Sequence, residues 1–251
     1  MGRFSLMACA LPAICCGFHI ALYCPGAMSN FPFDIVLFDL DGTLVDSARD
    51  LCPAVNHALS VIGRGPVSED ATRNMIGGGT DMMLTRALEA TGGMVAQADY
   101  ARLMEALLAH YWANITTNTV PFEGCLEMLD ALIEEGVKLA ICTNKSEKPA
   151  RQLLDALDMT RRFTAIYGGD TLGRENAKPA PDMLHAATRD CGAGRAAMVG
   201  DSTYDMRAGR AAGVPVVACS FGYHDVPLAE LGADAVIDHL GELPDALRKL
   251  S

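Results

Sequence analysis

The sequence predicts an α/β fold: a Rossmann-like parallel sheet core with helices on both faces, and an all-helical module inserted after the first strand. Two observations carry this. Short apolar runs bounded by polar residues or Gly alternate with amphipathic stretches over most of the chain, and strands apolar on both faces belong to parallel sheets covered by helices on each side. Between Phe38 and Val137 that rhythm breaks, because no strand pattern is present and only helical periodicity fills the gap. A chain of 251 residues, 50% hydrophobic and 20% charged, suits one core with a smaller module and excludes a disordered or collagen-like chain.

Residues 1–30 stand apart. Arg3 is their single charged side chain, and Cys9, Cys15, Cys16 and Cys24 lie among them. Residues 6–24 are apolar enough for a signal or a membrane anchor, but Pro12, Gly17 and His19 interrupt the run and no A-x-A site follows. The segment reads as an N-terminal extension with synthesis expected to start at Met28; a signal or membrane anchor at 6–24 and a packed N-terminal element are the alternatives. The first strand falls at 35–38, an apolar run ahead of polar residues. Helical patterns follow at 48–62, 81–90 and 98–115; in the last, Tyr100, Leu103, Met104, Leu107, Leu108 and Tyr111 recur at helical spacing. Asp46 with Ser47, and residues 119–121, are the expected hinges, so the core covers 31–46 and 119–251 and the module 47–118. Alternation then resumes, with strands at 137–142, 165–167, 197–199, 214–218 and 235–237 and helices at 123–135, 146–157, 182–190 and 203–212.

Charge and cysteine content narrow the function. Lys and Arg number 20 against 31 Asp and Glu, a net charge of −11. No nucleic-acid partner is expected, because that binding needs a basic surface; a small anionic ligand feels the local site instead. Nine cysteines without a C-x-x-C pair fit neither a disulfide framework nor a zinc knuckle, and a reducing, cytoplasmic location is expected.

Open α/β sheets bind ligands at the carboxyl ends of their strands, so the residues that follow each strand carry the chemistry. The first strand runs into F-D-L-D-G-T-L-V-D-S, with Asp39 and Asp41 two apart and Gly42 permitting a tight turn whose amides are expected to face an anion. The second ends in Thr143 and Asn144, and the fourth in G-D-S-T-Y-D, with Asp201 beyond the strand and Asp205 four residues on. Lys178 lies between the third and fourth strands in the stiff segment A-K-P-A-P. Carboxylates gathered at one sheet edge repel unless a cation joins them, and a hard all-oxygen set suits Mg²⁺. With a lysine, a threonine hydroxyl and loop amides, they form a phosphate cradle in which one carboxylate attacks phosphorus and its neighbour moves the proton. An EF-hand reading of D-L-D-G fails, since Leu44 stands where that loop needs Gly and a strand precedes it.

The four-part set resembles the motifs of the haloacid dehalogenase superfamily in its phosphatase form, in that family's order, and the helical insert resembles its α-helical cap. R-N-M-I-G-G-G-T-D in the insert and F-G-Y-H-D-V-P-L near the end are similar to phosphoglycolate phosphatases. The resemblance implies a Mg²⁺-dependent phosphomonoester hydrolase working through an aspartyl-phosphate. Asp39 would be the nucleophile and Asp41 the acid/base. Thr143, Asn144 and Gly42 would bind substrate, while Lys178 would hold phosphate and offset the charge of Asp39. Asp39, the Asp41 carbonyl and Asp201 would hold the metal, with Asp205 orienting a metal-bound water or Lys178. The substrate would be a small phosphorylated metabolite, best 2-phosphoglycolate, cleaved to glycolate and phosphate by a monomer or homodimer. A phosphosugar mutase, a phosphatase of another small phosphate and a non-enzymatic binding module are the alternatives. The segment 77–80 reads as a loop closing over substrate or as a simple turn with Thr80 as helix N-cap. The six histidines show no ligand spacing and read as structural or exposed; His224, in the loop after the fifth strand, is the one to watch.

Overall fold

The computed structural model describes residues 31–250; the expected extension at 1–30, its anchor reading at 6–24 and the start at Met28 lie outside the described residues. Among these, Cys52, Cys125, Cys142, Cys191 and Cys219 are free thiols, and no helix is long and apolar enough to cross a membrane.

Strand β1 (Ile35–Phe38) enters the core and is followed by β2 (Val45–Asp46). Four helices come next: α1 (Ala48–Ser60), α2 (Glu69–Arg73), α3 (Thr80–Ala90) and α4 (Gln97–Ala113). The chain returns through β3 (Val120–Pro121) and α5 (Cys125–Glu134). Then β4 (Lys138–Cys142), α6 (Glu147–Ala156), β5 (Ala165–Tyr167), α7 (Asp182–Asp190), β6 (Ala196–Gly200), α8 (Thr203–Ala212) and β7 (Val216–Cys219) alternate. Helix α9 (Leu228–Leu231), β8 (Ala235–Ile237) and α10 (Leu243–Lys249) complete the described chain. The six core strands form one parallel sheet in the order β5-β4-β1-β6-β7-β8.

Strand β1 shows why the run Ile-Val-Leu-Phe sits at the centre. Its side chains alternate between two buried layers, as the period of two requires. Ile35 and Leu37 pack with Met183 and Leu184 of α7 and Met206 of α8. Val36 and Phe38 pack on the opposite face with Leu129 of α5, Leu153 of α6 and Leu247 of α10. Leu51, Val55 and Leu59 of α1 meet Leu103, Leu107 and Tyr111 of α4 within that second layer, so the inserted helices share a continuous core with the sheet.

Two expectations need correction. Strands do occur between Phe38 and Val137: β2 and β3 pair antiparallel, Val45 opposite Pro121 and Asp46 opposite Val120. The pair sets the exit and return of the chain side by side; two residues are too few to show a period. The strand expected at 214–218 begins at Val216, because the Val214 amide closes the end of α8 on the Gly209 carbonyl. Helices α2, α9 and α10, all short, were not expected.

Candidate active site

The carboxyl end of β1 builds the floor of the site. The Leu40 carbonyl accepts from the amides of Leu44 at 3.0 Å and Val45 at 3.1 Å, winding the chain into a turn. Gly42 occupies that turn at φ 85°. A Cβ there would stand 2.3 Å from Asp201 Oδ2 and 2.8 Å from the Tyr223 ring, so glycine is required by both conformation and space. The expectation that the Gly42 amide faces an anion is corrected: it donates to the Val45 carbonyl at 3.0 Å. What Gly42 provides is the close approach of Asp201.

Around this turn the structure brings together Asp39, Thr143, Lys178, Asp201 and Asp205. Lys178 is buried, with Nζ 3.0 Å from Asp39 Oδ1 and 2.5 Å from Asp205 Oδ1. Its segment is anchored by the Asn144 side chain, whose Nδ2 donates to the Lys178 carbonyl at 2.9 Å. Asp205 is wholly buried, and its second oxygen accepts from the amides of Asp201 and Ser202 and the Ser202 hydroxyl, capping α8. Thr43 Oγ1 and the Tyr223 amide donate to the two oxygens of Asp201 at 2.8 and 2.6 Å. The Asp39 side chain remains 13% exposed, open to the cavity above it.

Burial pushes the Asp39 carboxyl up to about 6, with Lys178 pulling against it and Asp205 adding to the rise. Burial likewise pushes Asp201 well above the carboxylate range, reinforced by the charges of Asp205 and Asp39. One carboxylate oxygen from each of Asp39, Asp201 and Asp205 lies within 4.8 Å of the others. One ammonium does not balance three carboxylates, and an all-oxygen donor set matches a hard divalent cation. Both Asp205 oxygens are already engaged, so Asp39 and Asp201 are the side chains with capacity for it.

A cavity of about 360 Å³ opens above this floor and is roofed by the inserted helices, at the small end of the range of about 300–1,000 Å³ for ligand pockets. Its walls include Gly77, Gly78 and Gly79 before α3, and Tyr111 and Trp112 at the end of α4. The three glycines have φ of 99, 74 and 88°. A Cβ on Gly78 would meet Tyr204 Oη at 2.8 Å and one on Gly79 the Asn144 carbonyl at 3.4 Å, so this loop rests on the start of α8 and on the segment that follows β4. The N-cap of α3 is Gly79, and not Thr80, which is the first helical residue.

The sequence profile of haloacid dehalogenase-like hydrolases matches residues 36–219. A phosphoglycolate phosphatase of Agrobacterium fabrum is 42% identical over 217 residues, covering 85% of this chain and 91% of its own. One from Rhodospirillum rubrum is 42% identical, covering 84% and 90%. The crystal structure of a predicted phosphoglycolate phosphatase from Haemophilus somnus superposes with a TM-score of 0.79 at 28% identity, covering 85% of this chain and 97% of that one. The chain belongs to the haloacid dehalogenase-like hydrolase family.

Within this hydrolase several residues of the site escape a reading of the sequence. Lys145 follows Thr143 and Asn144 directly, yet a lysine opening a polar helix looks solvated. In the fold its side chain is buried and its ammonium donates to Asp41 at 3.0 and 3.2 Å, over the Tyr111 ring at 4.6 Å from its centroid. Asp46 accepts from Arg73 at 2.7 and 3.0 Å and from Tyr223 Oη at 2.7 Å. The Tyr223 hydroxyl also accepts from the Ala48 amide at 3.0 Å, so the segment F-G-Y-H-D holds both the β2–α1 junction and Asp201. His224 binds the Cys219 carbonyl through Nε2 at 2.9 Å.

Proposed function

We propose that this hydrolase cleaves a small phosphomonoester, 2-phosphoglycolate, to glycolate and inorganic phosphate. The observation that carries the reading is the Asp39 carboxylate, open to the cavity and 3.0 Å from the Lys178 ammonium, with Asp41 two residues on. The names of the relatives at about two-fifths identity support the choice of substrate. Residues 47–118 serve as a cap over the cavity.

In this reading the Asp39 carboxylate attacks phosphorus as the bond to the ester oxygen breaks, and the electron pair of that bond leaves with the oxygen. Asp41 gives its proton to the departing oxygen and then takes one from the water that hydrolyses the aspartyl-phosphate, restoring both carboxyls. Lys178 and the Thr143 hydroxyl hold the phosphoryl oxygens, and Asn144 supports Lys178 from behind. Asp205, joined to Lys178 at 2.5 Å, fixes the ammonium in place. Asp39, the Asp41 carbonyl and Asp201 would hold Mg²⁺, which when bound offsets the negative charge of the phosphoryl group and of the carboxylates.

Phosphate release from 2-phosphoglycolate tests the reading. Turnover is expected to stop on chelation, to return with Mg²⁺ and to be absent in Asp39→Asn. Rapid-quench labelling is expected to place the phosphoryl group on Asp39. A label on Asp41, or on a serine or histidine, would overturn the mechanism.

A further inference from the structure

We propose that Lys145 recognises a second acidic group on the substrate, so that the preferred substrates are phosphomonoesters of short hydroxy acids whose carboxylate lies a few atoms beyond the ester oxygen. This rests on the phosphatase reading above and adds the specificity determinant that the mechanism leaves unassigned.

Four observations support it. Lys145 lines the cavity, and its side chain is 7% exposed. A lysine so placed must find a negative partner, and among the described residues the one carboxylate within ion-pair distance is Asp41. The Lys145 ammonium lies 3.0 and 3.2 Å from the two oxygens of Asp41. The cavity is thus lined by two buried lysines, Lys178 against Asp39 and Lys145 against Asp41, and only the first is needed for the phosphoryl group in the reading above.

The second observation is Tyr111. Its ring lies under the Lys145 ammonium, and its own hydroxyl, sealed from solvent, has no hydrogen-bond partner in good geometry. This platform fixes the lysine from the side of the inserted helices. Third, α3 begins on the same cavity with no side-chain cap, and the free amides of a helix start favour an anion. Asp81, in its first turn, is paired with Arg174 at 3.1 Å. Fourth, position sets length. Lys145 holds both oxygens of Asp41, the residue to which the proposed mechanism gives protonation of the leaving oxygen, so on that reading a group bound by the same ammonium stands only a few atoms from that oxygen. An ammonium has three donors and can serve Asp41 and a substrate carboxylate together.

The test compares kcat/KM for 2-phosphoglycolate with that for ethyl phosphate, which has the same short chain without the acid. The ratio removes any effect on Asp41 common to both esters. A hydrogen-bonded charge pair corresponds to about 10- to 100-fold, so the parent is expected to prefer 2-phosphoglycolate by that factor. Lys145→Met is expected to bring the ratio within about threefold of unity, and Lys145→Arg to retain most of the preference because it keeps the charge. A parent that hydrolyses both esters equally would overturn the inference and leave the phosphatase reading standing; this arm needs no variant. A Lys145→Met enzyme that loses the same factor on both esters would reduce Lys145 to a support for Asp41. A parent inactive on every phosphomonoester tried would overturn the phosphatase reading and the inference with it.

Discussion

Asp50 joins the start of the inserted helices to their end, and its removal gives a stability change that can be worked out from the structure. It lies in the first turn of α1 and is 2% exposed. Its Oδ1 accepts from Asn118 Nδ2 at 2.9 Å, and its Oδ2 from the Thr119 amide at 2.8 Å and the Thr119 hydroxyl at 2.7 Å. The Asn118 amide lies 3.0 Å from both oxygens. Asp50→Ala leaves two buried donors of Thr119 without an acceptor, at about 1–3 kcal/mol each, while the Asn118 groups reach water and add little. Loss of an acidic residue from a helix start adds about 0.3–1 kcal/mol. Water admitted by the shortened side chain recovers part of this, so the expected loss is about 3–4 kcal/mol, a large share of the roughly 5–15 kcal/mol that holds a domain together. Asp50→Asn keeps one acceptor but turns an NH₂ towards donors, and is expected to cost about 2–3 kcal/mol. Trp112, the one tryptophan of the chain, stands at the end of α4, so urea unfolding followed by its fluorescence reports the inserted helices, and far-UV circular dichroism reports the whole. A loss below about 1 kcal/mol in Asp50→Ala, the range of one ordinary hydrogen bond, would refute the reasoning.

Gly42→Ala is expected to cut phosphate release at least about 100-fold while the circular dichroism spectrum stays that of the parent, because displacing a catalytic group by an ångström can cost that much; parent-like turnover would count against the packing of Gly42 on Asp201. Arg73→Met tests the hinge through pH. Burial raises the Asp46 carboxyl, but hydrogen bonds from Arg73 and Tyr223 outweigh it and hold the pKa below the ordinary 3.8. A folded value below the unfolded one means that the stabilisation is present above about pH 4 and is lost as pH falls through the lowered value. The difference in urea midpoint between parent and Arg73→Met is therefore expected to be constant from neutral pH down to about 5 and to shrink below about 4; a difference that grows on acidification would contradict the pairing.

The elements legible in the sequence are those whose signal is local. Ile35 to Phe38 reads as a buried strand because four apolar residues in a row have few other places to go, and Tyr100 to Tyr111 reads as a helix because its period repeats three times. Asp39, Asp41, Thr143 and Asp201 are legible for a related reason: each sits just past such a run, where a parallel sheet delivers its strand ends to one edge; Lys178 is legible from its place in the stiff segment A-K-P-A-P between the third and fourth strands. The illegible part consists of partners. Asp41 and Lys145, Thr43 and Asp201, and Tyr223 and Asp46 are separated by 104, 158 and 177 residues, and nothing in the neighbourhood of either member announces the other. Asp50 shows the limit most clearly. Alone it is an acidic residue in the first turn of a helix, a common placement that complements the helix dipole. Only when β2 and β3 bring exit and return together does it face Thr119, and that pair of strands is two residues long, too short for any period to reveal. Strand ends can therefore be found from pattern, whereas the residues that fix a roof over them depend on contacts that the fold creates. In this chain the chemistry sits mainly in the first class, and Lys145, the residue to which we assign selectivity, sits in the second.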